Sequence, residues 1–202
     1  MNLTEVFQDT LEISKKFFSK MQTSEYYPEH KMQVVFSNNT VNSIFEEEGR
    51  LAALNFADDK IPGGMVWYGA NSQEESLCRS SNLYLSLVKH EDDFYREDGG
   101  LIYSKDIVFF KDSNYKLAKP KTCDIITCSS LVDVNRDNDE KVRITKQRMS
   151  MIVNSALFHG VDVLILGNWG CGAFGNDGKF FQELWKEVLS ACGVRDNAWR
   201  WS

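Results

Sequence analysis

Leu51-Ala52-Ala53-Leu54-Asn55-Phe56-Ala57, followed by Pro62-Gly63-Gly64-Met65-Val66-Trp67-Tyr68-Gly69-Ala70-Asn71-Ser72-Gln73-Glu74-Glu75, reads as an apolar strand, a glycine-bearing loop and the first turn of a helix. The order recurs near the other end. Val161–Leu166 (VDVLIL) runs into Gly167-Asn168-Trp169-Gly170-Cys171-Gly172-Ala173-Phe174-Gly175, and Asn176-Asp177 can cap a helix through about Ala191, stopped at Gly193. Strands that are apolar throughout belong to a sheet covered on both faces. Ligands of such sheets bind beyond the carboxyl ends of the strands. Both loops follow strands, so both are expected to line one crevice.

Between these anchors the pattern alternates. Apolar residues at roughly helical spacing predict a helix over Leu3–Met21. Met32–Phe36 reads as a strand, and Asn38-Asn39-Thr40 caps a helix through about Glu48. Gln73–Val88 reads as one helix, with Leu77, Tyr84, Leu85 and Val88 on one face. Ile107–Phe110 and Cys123–Cys128 read as strands, His90–Gly100 and Arg136–Lys141 as charged loops, and Ile144–His159 as a helix ended by Gly160. The expected fold is α/β, a mixed and largely parallel sheet between helices.

At 202 residues the chain fits one domain, with the first helix as an extension, and 43% hydrophobic residues suffice for a core. A net charge of −6 without a Lys/Arg-rich run excludes a binder of nucleic-acid backbone. Five scattered cysteines without C-x-x-C point to a reducing compartment, and the cytoplasm is the expected location. The three histidines lack metal-ligand spacing, so neither metal nor cofactor is expected. The first residues carry acids and lack a leader's apolar core, and no apolar run is long enough to cross a bilayer.

The first loop pairs backbone that a ligand can approach closely with two adjacent carboxylates, the ingredients of a site that holds a sugar or phosphate compound against an acid. Ser72-x-x-Glu75 also matches a capping box, which would make the acids structural. The second loop offers successive N–H groups near a helix start, an anion cradle; a tight strand-to-helix turn reads equally well. Cys171 reads as a packed thiol rather than a nucleophile, because no histidine is expected near it. Arg79 reads either as a phosphate contact or as a solvated helix residue. The tail Trp199-Arg200-Trp201 is expected to pack on the body.

Taken in order, Asn55-Phe56-Ala57, Pro62-Gly63-Gly64, Gly69-Ala70, Gln73-Glu74-Glu75-Ser76-Leu77-Cys78-Arg79-Ser80-Ser81 and Gly170-Cys171-Gly172-Ala173-Phe174-Gly175-Asn176 resemble the bacterial-type poly(ADP-ribose) glycohydrolases of the macrodomain superfamily. The similarity runs from about Tyr26 to Leu189. It implies a macrodomain-like three-layer α/β/α sandwich and metal-free hydrolysis of ribose–ribose O-glycosidic bonds in poly(ADP-ribose). By position, Glu75 is the implied acid and then base, and Glu74 the holder of ribose hydroxyls. Gln73 shapes the loop, and Gly63 and Gly64 let backbone amides approach the diphosphate. Gly170, Cys171, Gly172 and Ala173 complete the phosphate cradle, Phe174 packs on the distal ribose, and Asn55 falls near an acidic residue of animal relatives.

The implied partner is ADP-ribose or poly(ADP-ribose) on modified proteins, with nucleic acid entering only as an ADP-ribosylated acceptor and the chain acting as a monomer. A mono-ADP-ribosyl hydrolase and a non-catalytic ADP-ribose reader are the alternatives. Met65 stands where the family loop has its third glycine. A positive φ there would strain methionine by about 1 kcal/mol or more.

Overall fold

The computed structural model describes residues 1–14, 31–91 and 100–201. In chain order the elements are α1 (Leu3–Ser14), β1 (Gln33–Phe36), α2 (Thr40–Glu46), β2 (Leu51–Phe56), α3 (Gln73–Ser80), α4 (Leu83–Leu87), β3 (Ile102–Lys111), β4 (Leu117–Cys128), α5 (Asp139–Phe158), β5 (Val163–Leu166), α6 (Gly178–Ala191) and β6 (Trp199–Trp201). The rest of the helix expected through Met21, and most of the loop expected over His90–Gly100, lie outside the described residues.

Six strands form one sheet in the order β3-β4-β2-β5-β1-β6. β3 and β4 pair antiparallel, while β4-β2, β2-β5, β5-β1 and β1-β6 pair parallel. Successive strand residues point to opposite faces, and the core divides accordingly. Val34, Phe36, Ala52, Leu54, Ile126, Cys128, Leu164 and Leu166 face Met149, Ile152 and Val153 of α5 and Phe181, Leu184 and Trp185 of α6. Val35, Leu51, Ala53, Ile125, Val163 and Ile165 face Phe7 of α1, Ile44 of α2, Leu77 of α3, and Leu83 and Leu87 of α4. The central strands are therefore apolar throughout, because both of their faces are covered. The result is a three-layer α/β/α sandwich with a mixed, largely parallel sheet, as the sequence implies.

Four boundaries differ from the sequence reading. The helix expected over Gln73–Val88 breaks at Ser81, whose backbone is extended and bridges Phe109 of β3. The buried face then comprises Leu77, Leu83 and Leu87, with Tyr84, Leu85 and Val88 only half-buried. The charged loop expected over Arg136–Lys141 is in part the first turn of α5, which Asn138 caps by accepting from the Lys141 N–H at 3.0 Å. Its acids Asp139 and Glu140 sit at the helix's positive end. β3 and β4 also extend beyond the apolar runs that signalled them. Finally, the tail is a strand: β6 pairs with β1 and so covers what would otherwise be a sheet edge.

Because β1, β2, β4, β5 and β6 run the same way, the loops after β2 and β5 emerge at one end of the sheet, from adjacent strands.

Candidate active site

Gln73, Glu74 and Glu75 form the first turn of α3, and each side chain has its own task. Gln73 ties the turn to the end of β2. Its Oε1 accepts from the Phe56 N–H at 2.9 Å, and its Nε2 donates to the Leu54 carbonyl at 2.8 Å and to Thr40 Oγ1 at 3.1 Å. Glu74 is 3% exposed; its two oxygens accept from Asn55 Nδ2 at 3.0 Å and from the Asp58 N–H at 2.8 Å. Glu75 is 6% exposed; its Oε1 accepts from the Met65 N–H at 3.1 Å. Its Oε2 is buried without a hydrogen-bond partner among the described residues. The capping-box alternative is not what forms. Ser72 makes no side-chain cap bond, and the Glu75 carboxylate reaches the glycine loop instead of back to Ser72.

Burial governs the electrostatics of the pair. Desolvation pushes the Glu74 carboxyl up to about 8, the charge of neighbouring Glu75 adds to the rise, and the bonds from Asp58 and Asn55 partly offset it. At neutral pH Glu74 is therefore largely protonated, so two full charges do not stand side by side.

The glycines make room for these carboxyls. Gly64 has φ +56°, and a Cβ on it would lie 2.6 Å from Glu75 Oε1 and 3.3 Å from Glu74 Oε2. Gly63, with φ +71°, backs onto the Tyr84 ring, which a Cβ would meet at 2.8 Å. Gly64→Ala is accordingly expected to cost about 1–2 kcal/mol in backbone strain and to push Glu75 off the Met65 amide. A urea midpoint and a turnover assay should both fall; an unchanged turnover would separate the loop from the chemistry. Met65 itself has φ −94°, so the third loop position does not call on glycine's left-handed freedom.

The loop is held from outside. Val66–Tyr68 form one 3-10 turn ended by Gly69 in the left-handed region. The fully buried Arg79 donates from Nε to the Leu3 carbonyl at 3.0 Å and from Nη2 to the Val66 carbonyl at 3.1 Å. It is thus neither a solvated residue nor a phosphate contact. The Trp67 ring meets Phe7 edge-on at 4.9 Å, its Nε1 donates to Tyr84 Oη at 2.9 Å, and Thr4 Oγ1 donates to the Trp67 carbonyl at 3.4 Å.

Beside this cluster lies a cleft of about 650 Å³ lined by Gly170, Cys171, Gly172, Ala173 and Phe174 on one side and by Phe56, Ser72 and Gln73 on the other. The two glycine loops thus share one crevice. The lining reaches Gln73 but not Asn55, Gly63, Gly64, Glu74 or Glu75, which form the buried cluster behind it. A Cβ on Gly170, with φ +76°, would lie 2.3 Å from Ser130 Oγ. Among the described residues the amides of Gly172, Ala173 and Phe174 have no hydrogen-bond acceptor. Burial pushes the half-buried Cys171 thiol up to about 11, so it stays neutral.

Sequence reasoning missed two residues. Asn176 spans three segments, its Oδ1 accepting from the Val134 N–H at 2.8 Å and its Nδ2 donating to the carbonyls of Leu131 at 2.7 Å and Gly170 at 2.9 Å. The helix cap is Asp177 alone, through the Lys179 and Phe180 amides. Asp58, whose amide grips Glu74, carried no signal. Among the described residues no group of three or more His, Cys, Asp or Glu is placed to hold a metal ion, and no helix is long and apolar enough to cross a membrane.

A buried acid with one unpaired oxygen thus stands behind a glycine-lined cleft at the carboxyl end of the largely parallel sheet of a macrodomain-like fold. Residues 3–112, just over half of the chain, match the microbial-type PARG catalytic domain, the poly(ADP-ribose) glycohydrolase family, and the chain belongs to that family. Among solved structures it is similar to the poly(ADP-ribose) glycohydrolase of Thermomonospora curvata bound to the inhibitor ADP-HPD, at 24% identity and a TM-score of 0.71, over 93% of this chain and 85% of that one. It is also similar to the Deinococcus radiodurans enzyme in complex with ADP-ribose, at 28% identity and a TM-score of 0.68, over 98% of this chain and 83% of that one. No curated protein matches the chain.

Proposed function

We propose that the protein hydrolyses the ribose–ribose O-glycosidic bonds of poly(ADP-ribose) and releases ADP-ribose, with Glu75 as general acid and then base. The observation that carries this reading is the asymmetry of the adjacent carboxyls. Both oxygens of Glu74 already accept from protein donors, whereas Glu75 is fixed through Oε1 alone and keeps Oε2 unpaired. A proton on Oε2 passes to the leaving ribose oxygen as the anomeric C–O bond breaks. The carboxylate so formed then takes a proton from the water that attacks the oxocarbenium-like centre.

The other groups take supporting roles. Glu74, largely protonated at neutral pH, holds the ribose hydroxyls through its O–H and remaining lone pairs, while Asn55 holds it in place. The open amides of Gly172–Phe174 take the diphosphate, with the glycine-bearing segment from Gly170 letting backbone approach it. Phe174 packs on the distal ribose. Gly63 and Gly64 serve by leaving space for the protein's own side chains, as their surroundings favour. ADP-ribose in the Deinococcus relative is consistent with this ligand.

The test is digestion of purified poly(ADP-ribose) by the wild-type chain, read as free ADP-ribose. Release of ADP-ribose supports the reading. Release only from singly modified protein would make it a mono-ADP-ribosyl hydrolase, and tight ADP-ribose binding without turnover a reader.

A further inference from the structure

The Ile61–Gly69 turn carries four of the nine large apolar side chains that stand exposed among the described residues: Ile61 (46%), Met65 (43%), Trp67 (41%) and Tyr68 (80%). Exposed apolar groups gathered on one loop mark a contact surface. The loop is not loose. Arg79, Thr4, Phe7 and Tyr84 clamp Val66 and Trp67 from the inside. Tyr68 is therefore held outward on a braced turn.

Its place relative to the chemistry is fixed by the same turn. The Tyr68 N–H donates to the Met65 carbonyl at 3.0 Å, the i to i+3 bond of a 3-10 turn, and the Met65 N–H grips Glu75. Residues three apart on such a turn share one edge and are about 6 Å apart along it. The turn that carries Met65 and Tyr68 is thus tied to the acid through the Met65 backbone. From Ile61 to Gln73 the chain has no charged residue. This uncharged segment offers no cation of its own to a phosphate, and its exposed Tyr68 ring suits the face of an uncharged aromatic ring.

We infer that Tyr68, with Met65 beside it, is a stacking subsite for the adenine base of the polymer unit on the leaving side of the scissile bond. The inference rests on the hydrolase reading above. The glycine-lined cleft takes the ADP-ribose unit that is released. Glu75 protonates the oxygen of the unit that stays on the polymer, so that unit departs beside Glu75, and the turn whose backbone holds Glu75 is the one that carries exposed Met65 and Tyr68. The departing unit's only large neutral planar group is the base.

Kinetics on poly(ADP-ribose) test the assignment, with calorimetry on free ADP-ribose alongside. Tyr68→Ala is expected to raise KM for polymer roughly tenfold, the usual worth of one base stacked on an aromatic ring, with the Kd for free ADP-ribose unchanged. Tyr68→Phe should restore the wild-type KM, since the face and not the hydroxyl makes the contact. An unchanged polymer KM in Tyr68→Ala overturns the inference, as does an equal weakening of free ADP-ribose or a Tyr68→Phe variant as impaired as Tyr68→Ala. A second arm does not depend on turnover. Glu75→Gln protein, with and without Tyr68→Ala, is titrated with short ADP-ribose oligomers and with the monomer. A preference for oligomer that the second substitution removes supports the subsite. No such preference overturns it even where wild-type turnover is demonstrated, and failed turnover with the preference intact counts against the hydrolase reading alone.

Discussion

Glu75→Gln is expected to lower ADP-ribose release from poly(ADP-ribose) by roughly 100- to 10,000-fold, the range supplied by a positioned general acid or base, while leaving ADP-ribose affinity within a small factor of wild type. The two halves of this expectation come from different atoms. Gln keeps the Oε1 acceptor for the Met65 N–H, so the loop and the cleft beside it stay in place. It replaces Oε2, the unpaired oxygen, with an amide nitrogen that can neither give up nor take the transferred proton. The substitution leaves the side chain's shape unaltered, so the fold should hold. A turnover assay and a calorimetric titration on the same preparation decide the matter. Near-normal turnover would remove Glu75 from the chemistry.

The second large effect concerns stability. Glu74 binds its proton more tightly folded than unfolded, because burial lifts its carboxyl from 4.5 to about 8. An acid with a raised folded-state value contributes its full share of stability below the unfolded value. That share is lost as pH rises from about 4.5 through about 8. At about 1.4 kcal/mol per pH unit, the loss is on the order of a few kcal/mol. Urea midpoints of the wild type should therefore decline between pH 5 and 8.

Glu74→Gln has no proton to lose and should flatten that decline. Its absolute stability will also register a lost acceptor, since one amide oxygen cannot serve both the Asn55 and Asp58 donors. The slope and not the midpoint is thus the measurement. His159, which burial holds below its ordinary value, favours the folded state more as pH rises. The variant should then run level or gently upward, because that opposing contribution is no longer masked. A variant that keeps the wild-type slope would place the ionisation elsewhere.

The two loops were legible because glycine and adjacent carboxylates act locally. Gly64 admits no side chain against Glu75, and the strands before each loop are apolar on both faces. What escaped was whatever depended on a distant partner. Ser81 has a helical neighbourhood in sequence, but its pairing with Phe109 pulls it into extended backbone. Asp139 and Glu140 look like loop residues by charge, yet a helix start welcomes them. The three-residue β6 is too short to show a period. In the site, Asp58 grips Glu74 through its backbone, which no side-chain pattern reveals, and Asn176 looked like half of a cap when its three bonds go elsewhere. Arg79, which in sequence reads as a phosphate contact or a solvated helix residue, is completely enclosed.

That enclosed guanidinium joins the Leu3 carbonyl to the Val66 carbonyl, and the next amide before Val66 is the one that grips the acid. The opening helix and the turn at 65–68 therefore work as a single mechanical part, although more than fifty residues separate them. On the proposed mechanism, substitutions in the opening helix that loosen this tie should be felt as changes in turnover, because they move the turn that holds Glu75.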